Sequence, residues 1–481
     1  MRSLTALMAT LIIAGCSREP PGGDLAVVVA GDQVPATALA ETLAAEASRA
    51  TLITRAPGGE LAPGLATSWR FLDQGQDLIL RLAPVRWPGT GDKPGDELVA
   101  RDVVASLRRT PLPARAVRAA AGLEARGTAR APIARVVELA PRPATPFLLD
   151  WLADPGLAVL DRRGRPFPGP YELTRQDGTL RLERRNETPR PDAQAARIVV
   201  ETAAPADAIA RFSGKQRPLV LGAGLAGLAD ARAAGVGRAL RVEPVHGVIG
   251  LAIADVKDGP LADARARRAL LLAADGAALA NRFALGALVA QVRLWDGLPP
   301  PADDRALPLP ERQARAAAML AEAGGWGPEK PLVLTLMVPV GAEAGLLADE
   351  LATGLLPLGF VIKIVRAPRD SAAKSPPHDL ALAELVARVP DPVTHLERWR
   401  CGSARPCSGQ ADALLDAARA AGGDPAARLA AAERAESALM VDAAFIPLLR
   451  PVRWSLVADG VSGFQANPLG WHPLGRITRS R

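Results

Sequence analysis

The stretch "PLVLTLMVP" at 331–339, the run Glu343–Leu355 and "GFVIKIVRAP" at 359–368 read as strand, helix and strand. Two strands joined through a helix lie parallel, because a tight turn can only return the chain antiparallel. A parallel pair is buried on both faces and has to be covered by helices. This single unit commits the chain to a layered α/β architecture. At 481 residues the chain also exceeds what one core can organise, so two or three lobes are expected.

The remaining segments extend the same pattern. "DLAVVVAG" at 24–31 is a buried-strand type of run and Ala36–Ala50 a helical one. "WRFLD", a turn at "QGQ" and "DLILRLA" predict a hairpin, followed by a helix from Asp102 with Val103, Val104 and Leu107 on one side. The stretch 134–160 reads as strand-rich, and "GPYELTRQDGTLRLERRN" at 169–186 as a hairpin turning at Asp177-Gly178. Further on come a strand at 248–254, helical runs at 263–283 and 311–327, a strand within "HDLALAELVARVPDP", helices at 409–422 and 425–440, and the apolar "AFIPLLRPVRWSLV". No short period recurs, which excludes a solenoid.

The first residues direct the chain out of the cytoplasm. Arg2 precedes an apolar run from Leu4 to Ile13, too short for a permanent membrane helix, so it reads as an export signal. Ala14-Gly15-Cys16 resembles a bacterial lipobox, in which Cys16 is acylated and becomes the new N-terminus; acyl chains then hold the protein to a membrane. Residues 17–24, with Pro20, Pro21, Gly22 and Gly23, suit a tether. The net charge of +7 comes from arginines scattered among alanine, glycine and proline, with one tyrosine in the whole chain, so no nucleic-acid footprint is formed. In an oxidising compartment, Cys401 and Cys407 are candidates for a disulfide, with two free thiols as the alternative. His246, His378, His395 and His472 lack metal-ligand spacing.

One motif points elsewhere. "PLVLGAGLAGLADAR" at 218–232 carries Gly222-x-Gly224-x-x-Gly227 between an apolar run and a helical one, with Glu243 about where a ribose-binding acid would fall. It supports an exported FAD or NAD oxidoreductase as an alternative. Its place deep in the chain, its short following helix and the absence of a second nucleotide-fold half oppose that reading. No nucleophile elbow, paired-carboxylate pattern or Gly-Lys-Ser/Thr phosphate loop is present, so catalysis has no visible carrier and no cofactor is expected.

The order of segments resembles the extracytoplasmic solute-binding proteins of the oligopeptide, dipeptide and nickel ABC-importer family, from about Asp24 to the C-terminus. "LAPGLATSWRF…LILRLAPVRWPG…LVARDVVASLRR", beginning at Leu61, is similar to that family's "L-P-x-L-A-x-S-W", its "F-x-L-R…W-x-D-G" hairpin and its "A-x-D-V-x-x-S" helix. "GPYEL" at 169–173, "DARARRALLLAAD" at 263–275, "ARAAAMLAEAG" at 314–324, "LGFVIKI" at 358–364 and "DLALAELVARVPDP" at 379–392 follow in the family's order. The resemblance implies a bilobal α/β fold of the periplasmic-binding-protein type, class II, in three structural parts with a ligand cleft between lobes. Lobe 1 would take residues 25–54, 169–246 and 451–481, with 55–168 as its outer subdomain; lobe 2 would take 247–450. The partners implied are a peptide or other small solute, an ABC permease and, through Cys16, a membrane. The protein is expected to be monomeric, not to bind nucleic acid, and to work in the periplasmic space. A receptor-derived envelope scaffold that has lost its solute is a third reading.

In peptide-binding members, a carboxylate in "W-x-A-D-Y-x-D-P" pairs with the peptide's amino terminus. Here the segment reads Leu385-Val386-Ala387-Arg388-Val389-Pro390-Asp391-Pro392: the aromatic has become Leu385 and the acid Arg388. A guanidinium facing a ligand ammonium repels it, which puts free-amine peptides in doubt. Arg388 is suited to a carboxylate or phosphate instead, or else to a neighbouring acid such as Asp391 or Glu384. The candidate ligand-binding residues are therefore Glu384, Leu385, Val386, Ala387, Arg388, Asp391 and Trp399. Trp69 and Trp87 read as core aromatics, and the role of Trp471 stays open.

Overall fold

Val27, Val28 and Val29 have no exposed surface, because the strand Leu25–Ala30 lies at the centre of a sheet covered on both faces. The computed structural model describes residues 24–72, 77–89, 93–109, 117–142, 145, 147–185, 195–254, 259–286, 289–368, 374–402, 406–421 and 424–479. Cys16 and the turn expected at 74–76 lie outside them. The central strand pairs in parallel with Arg197–Ala203 and Leu219–Gly222. The full sheet has seven strands, ordered Leu240–Pro244, Val452–Val457, Leu219–Gly222, Leu25–Ala30, Arg197–Ala203, Thr179–Arg184 and Tyr171–Gln176. Alternation along the central strand sends Val27 and Val29 into one core and Val28 and Ala30 into another. The helix Gln33–Ser48 covers the first face through Ala36, Ala40, Leu43 and Ala44. Shorter helices, Pro205–Ser213 and Leu228–Ala233, cover the second.

The β-α-β unit is present. Leu332–Val338 and Phe360–Arg366 pair in parallel from Leu332↔Phe360 to Val338↔Arg366, with the helix Ala342–Leu355 as crossover. They belong to a five-stranded sheet ordered Phe360–Arg366, Leu332–Val338, Leu380–Val386, Gly247–Ile253 and Phe445–Leu449. The helical run at 263–283 divides into Ala264–Ala273 and Gly276–Arg282, because the Asp275 carboxylate accepts from the amides of Ala277 and Ala278 and starts a second helix. Cys401 and Cys407 are joined as a disulfide, with Cα atoms 5.1 Å apart.

A four-stranded antiparallel sheet forms a third body, ordered Ala66–Leu72, Asp77–Leu82, Val136–Leu139 and Ala129–Ile133. Leu78, Leu80 and Leu82 face inward against Val103, Val104 and Leu107 of the helix Ala100–Arg109. The stretch 134–160 departs from expectation. Only Val136–Leu139 is a strand of this sheet, and Leu148–Leu152 is a short helix with Leu148, Leu149, Trp151 and Leu152 buried. An apolar run buried nearly all round carries no period that separates helix from strand.

The chain passes between the seven- and five-stranded sheets at Val245-His246 and again at Arg450-Pro451. The two passages run side by side: the Val245 amide donates to the Pro451 carbonyl at 2.8 Å, and Arg450 Nε to the Val245 carbonyl at 3.1 Å. Arg450 and His246 both reach the Asp296 carboxylate, each at 2.9 Å. Gly247 follows at φ +142°, where an added Cβ would lie 2.2 Å from the Leu385 carbonyl oxygen.

Candidate ligand cleft

The strand Leu380–Val386 points its C-terminal end at the four-stranded body. Beyond it the Ala387 amide donates to the His246 carbonyl at 2.9 Å, and Val389 inserts into the core beside Leu52, Leu65 and Trp151. Opposite stand the helix Leu148–Leu152 and the turn Pro155–Leu157, whose first amide is capped by Asp154, which accepts from Gly156 N at 2.8 Å. Between them lies a cavity of about 200 Å³. Its wall takes Asp150, Trp151 and Asp154 from the four-stranded body, Val386, Ala387 and Arg388 from the five-stranded one, and Leu39, Arg453 and Trp471 from the seven-stranded one.

Each cation on this wall has an anionic partner. Arg55 donates to Asp150 at 3.0 Å. Arg388 reaches across to Asp154, and Arg453 to Glu384. Burial pushes the Asp150 carboxyl up, and the Arg55 guanidinium opposes that shift. Behind the wall, Arg398 donates to the Val386 carbonyl at 3.0 Å; burial, with Arg388 nearby, holds its guanidinium below the usual range.

The Arg453–Glu384 pair divides the space. Arg453 lines the first cavity, whereas Glu384 lines a second of about 170 Å³, with Asp32, Leu225, Leu347 and Leu382 among its walls. The glycine turn borders this second chamber, and its glycines answer to packing. A Cβ on Gly222 would sit 2.6 Å from Nε1 of Trp454, and one on Gly227, at φ +77°, 2.1 Å from Cβ of Pro205. The Gly227 amide donates to the Glu343 carboxylate, and Trp454 Nε1 donates to the Ala226 carbonyl at 2.8 Å. Glu243, the candidate ribose acid, is buried, with His472 Nε2 at 2.6 Å and the Asn467 amide at 2.9 Å. These contacts correct the dinucleotide reading: the turn is filled by protein, and its supposed acid is engaged elsewhere.

Of the residues singled out from the sequence, Val386, Ala387, Arg388 and Trp471 line the first cavity and Glu384 lines the second. Arg388 pairs with Asp154, not with Asp391 or Glu384. Leu385 is half-buried against the core of the five-stranded sheet. Asp391 is 1% exposed, accepts two bonds from Arg428 at 3.0 and 2.8 Å, and caps the helix Pro392–Leu396 through Val393 N and Thr394 N. Trp399 is buried with its ring 5.7 Å from His395 and 5.5 Å from Phe445. Neither Asp391 nor Trp399 lines either chamber, because the helix that follows the strand turns both side chains into the core. Trp69 and Trp87 pack against the four-stranded core. Arg55, Asp150, Trp151, Asp154 and Arg453 escaped notice. "DWLADP", two carboxylates around a tryptophan, was the available signal for three of them. Among the described residues no three His, Cys, Asp or Glu side chains are grouped to hold a metal, and no helix is long and apolar enough to cross a membrane.

The family described as bacterial extracellular solute-binding proteins, family 5 Middle, matches residues 60–405. No curated protein matches the chain. Among solved structures, Burkholderia pseudomallei OppA is similar with a TM-score of 0.78 at 18% identity, covering 96% of this chain and 100% of the other. The Escherichia coli murein tripeptide binding protein MppA gives 0.76 at 18%, covering 96% and 99%. NikA from Staphylococcus aureus, in complex with Ni(L-His)2, gives 0.73 at 15%, covering 95% and 100%.

Proposed function

Because this chain belongs to the bacterial extracellular solute-binding proteins of family 5, we propose that it captures a small solute in the divided cleft and presents it, enclosed, to the permease of an ABC importer. The family consists of extracytoplasmic binding proteins, not enzymes, with a bilobal fold. The observation that carries the reading is the cavity of about 200 Å³ walled by three separately organised sheets. A space bounded by separate bodies opens and shuts when they move, and a ligand that touches all of them stabilises the shut form.

The moving parts are assigned as lobe 1, residues 25–54, 169–246 and 451–481, with 55–168 as its outer subdomain, and lobe 2, residues 247–450. The hinge is the pair of passages at Val245-His246 and Arg450-Pro451. Arg453–Glu384 and Gly227–Glu343 form the clasps of the closed state. The structural neighbours are named for ligands as different as a murein tripeptide and Ni(L-His)2, so the fold leaves the solute to the cleft residues. The volume favours an oligopeptide-like solute at the short end of that range. Cys16 anchors the mature protein, as a monomer, to the membrane; labelled fatty acid incorporated into the wild type but not into a Cys16→Ala variant is the expected result.

The test of the main reading is small-angle scattering with thermal denaturation across libraries of short peptides and acidic metabolites. Binding should reduce the radius of gyration and raise the melting temperature. Unchanged scattering and unchanged melting with every compound would refute it.

A further inference from the structure

The hydrogen-bonding groups around the first cavity are unequally used. Asp154 has both oxygens engaged, one by the Gly156 amide and one by Arg388. Asp150 is held by Arg55, whose guanidinium also donates to the Asp150 and Gly59 carbonyls. The donors are not exhausted. Arg388 has a side chain 53% exposed, and only its Nη2 has a partner among the described residues. Arg453 uses Nη1 alone, for Glu384 and the Val452 carbonyl. Trp151 is 4% exposed and lines the cavity, and its indole Nε1 has no hydrogen-bond partner among the described residues.

A buried indole N–H without an acceptor costs free energy that an acceptor brought against it recovers. An ammonium has donors and no acceptor; both Asp154 oxygens are already engaged, the Asp150 carboxylate is held by Arg55 through Oδ1, and an ammonium reaching for its Oδ2 would stand beside Arg55 and face Arg388. A carboxylate has acceptors and no donor, and it matches the fork of a guanidinium. Resting on the reading of this cavity as the solute site, we infer that the cleft selects a small organic anion, with a carboxylate bound by Arg388 and the Trp151 indole and its apolar body against Leu39 and Trp471. Asp154 is the internal stand-in for that carboxylate: it occupies Arg388 when the lobes meet without solute, and yields or shares it when solute is enclosed. Arg388 and Trp151 are thus specificity determinants, and Asp154 is a built-in competitor.

The experiment uses the purified mature protein and two probes of equal backbone, N-acetyl-alanyl-alanine, which has a carboxylate and no ammonium, and alanyl-alanine amide, which has the reverse. Calorimetry is complemented by native mass spectrometry after incubation with a low-molecular-weight cell extract. The acid should bind and the amide should not. Arg388→Met should weaken the acid by about tenfold or more, the loss of a charged hydrogen bond. Asp154→Asn should tighten it, since the competitor is gone. Trp151→Phe should weaken it, because the indole donor is removed; the loss of the orphaned donor and the buried volume given up act in opposite directions on stability, so the melting of the empty variant is measured beside its binding to show that it is folded. An amide that binds as well as the acid, an Asp154→Asn variant that loses binding, or a captured extract solute without an acidic group overturns the anion assignment and leaves the solute-binding reading standing. No response to either probe and no solute from the extract overturns both.

Discussion

Asp391→Ala separates a structural carboxylate from a ligand contact. The Asp391 side chain performs two tasks. It pairs twice with Arg428, itself only 6% exposed, and it accepts from Val393 N and Thr394 N at the start of the helix Pro392–Leu396. Removing one member of a buried ion pair leaves the other charge unpaired, at a cost of about 3–5 kcal/mol. The Ala418 carbonyl at 3.1 Å and the Phe147 ring at 5.7 Å give Arg428 little compensation. The lost cap adds about 1 kcal/mol. The combined loss of about 4–6 kcal/mol is a large share of the stability of an ordinary domain, about 5–15 kcal/mol. Asp391→Asn keeps a capping side chain and should lose less than the alanine variant. Pairing it with Arg428→Met removes both charges and should recover most of the loss, since apolar replacement of a buried pair is often neutral. Denaturant unfolding measures stability, and calorimetry with N-acetyl-alanyl-alanine measures binding by the folded fraction. A variant with wild-type unfolding but weakened binding would refute the reasoning and return Asp391 to the solute.

Three further outcomes are expected. Burial pushes the Glu46 carboxyl from 4.5 up to about 7, against the pull of Arg476 and Arg55. The folded chain therefore holds that proton more tightly than the unfolded one, and stability falls as pH rises through this window, by up to about 3 kcal/mol. Glu46→Gln should melt higher than wild type at about pH 8 and close to it at about pH 4.5; a gap that stays constant with pH refutes this. Reducing the Cys401–Cys407 bond reopens a loop whose ends lie 6 residues apart, worth about 2 kcal/mol of chain entropy, so a reductant should lower the melting temperature by a few degrees. Gly227→Ala forces a Cβ onto a left-handed backbone and to 2.1 Å from Pro205; a loss of about 2–5 kcal/mol is expected, and unaltered unfolding would mean that packing does not require the glycine.

Local pattern carried the fold much further than it carried the site. The β-α-β unit at 332–366 and the hairpin at 171–184 were legible because alternation and helical period are properties of neighbours in sequence. The short helix Leu148–Leu152 was not, since burial nearly all round erases the period. Pairings across the cleft have no local signature: Arg388 meets Asp154 over a separation of 234 positions, and Arg453 meets Glu384 over 69. The same distance misled the glycine turn, whose local form suits a pyrophosphate but whose cause is Trp454, far along the chain.

Replacement of an acid by Arg388 was visible in the sequence, yet one guanidinium does not fix the charge of a solute. Its meaning depends on what faces it. If Asp154 had been free to accept more than Arg388 and a backbone amide, the cavity would present a balanced surface, and a zwitterion would suit it as well as an anion. Because both oxygens of Asp154 are committed and Asp150 is held by Arg55, while the indole of Trp151 has no acceptor among the described residues, the balance tips toward donors, and the sign of the solute follows from groups more than two hundred residues apart in the chain.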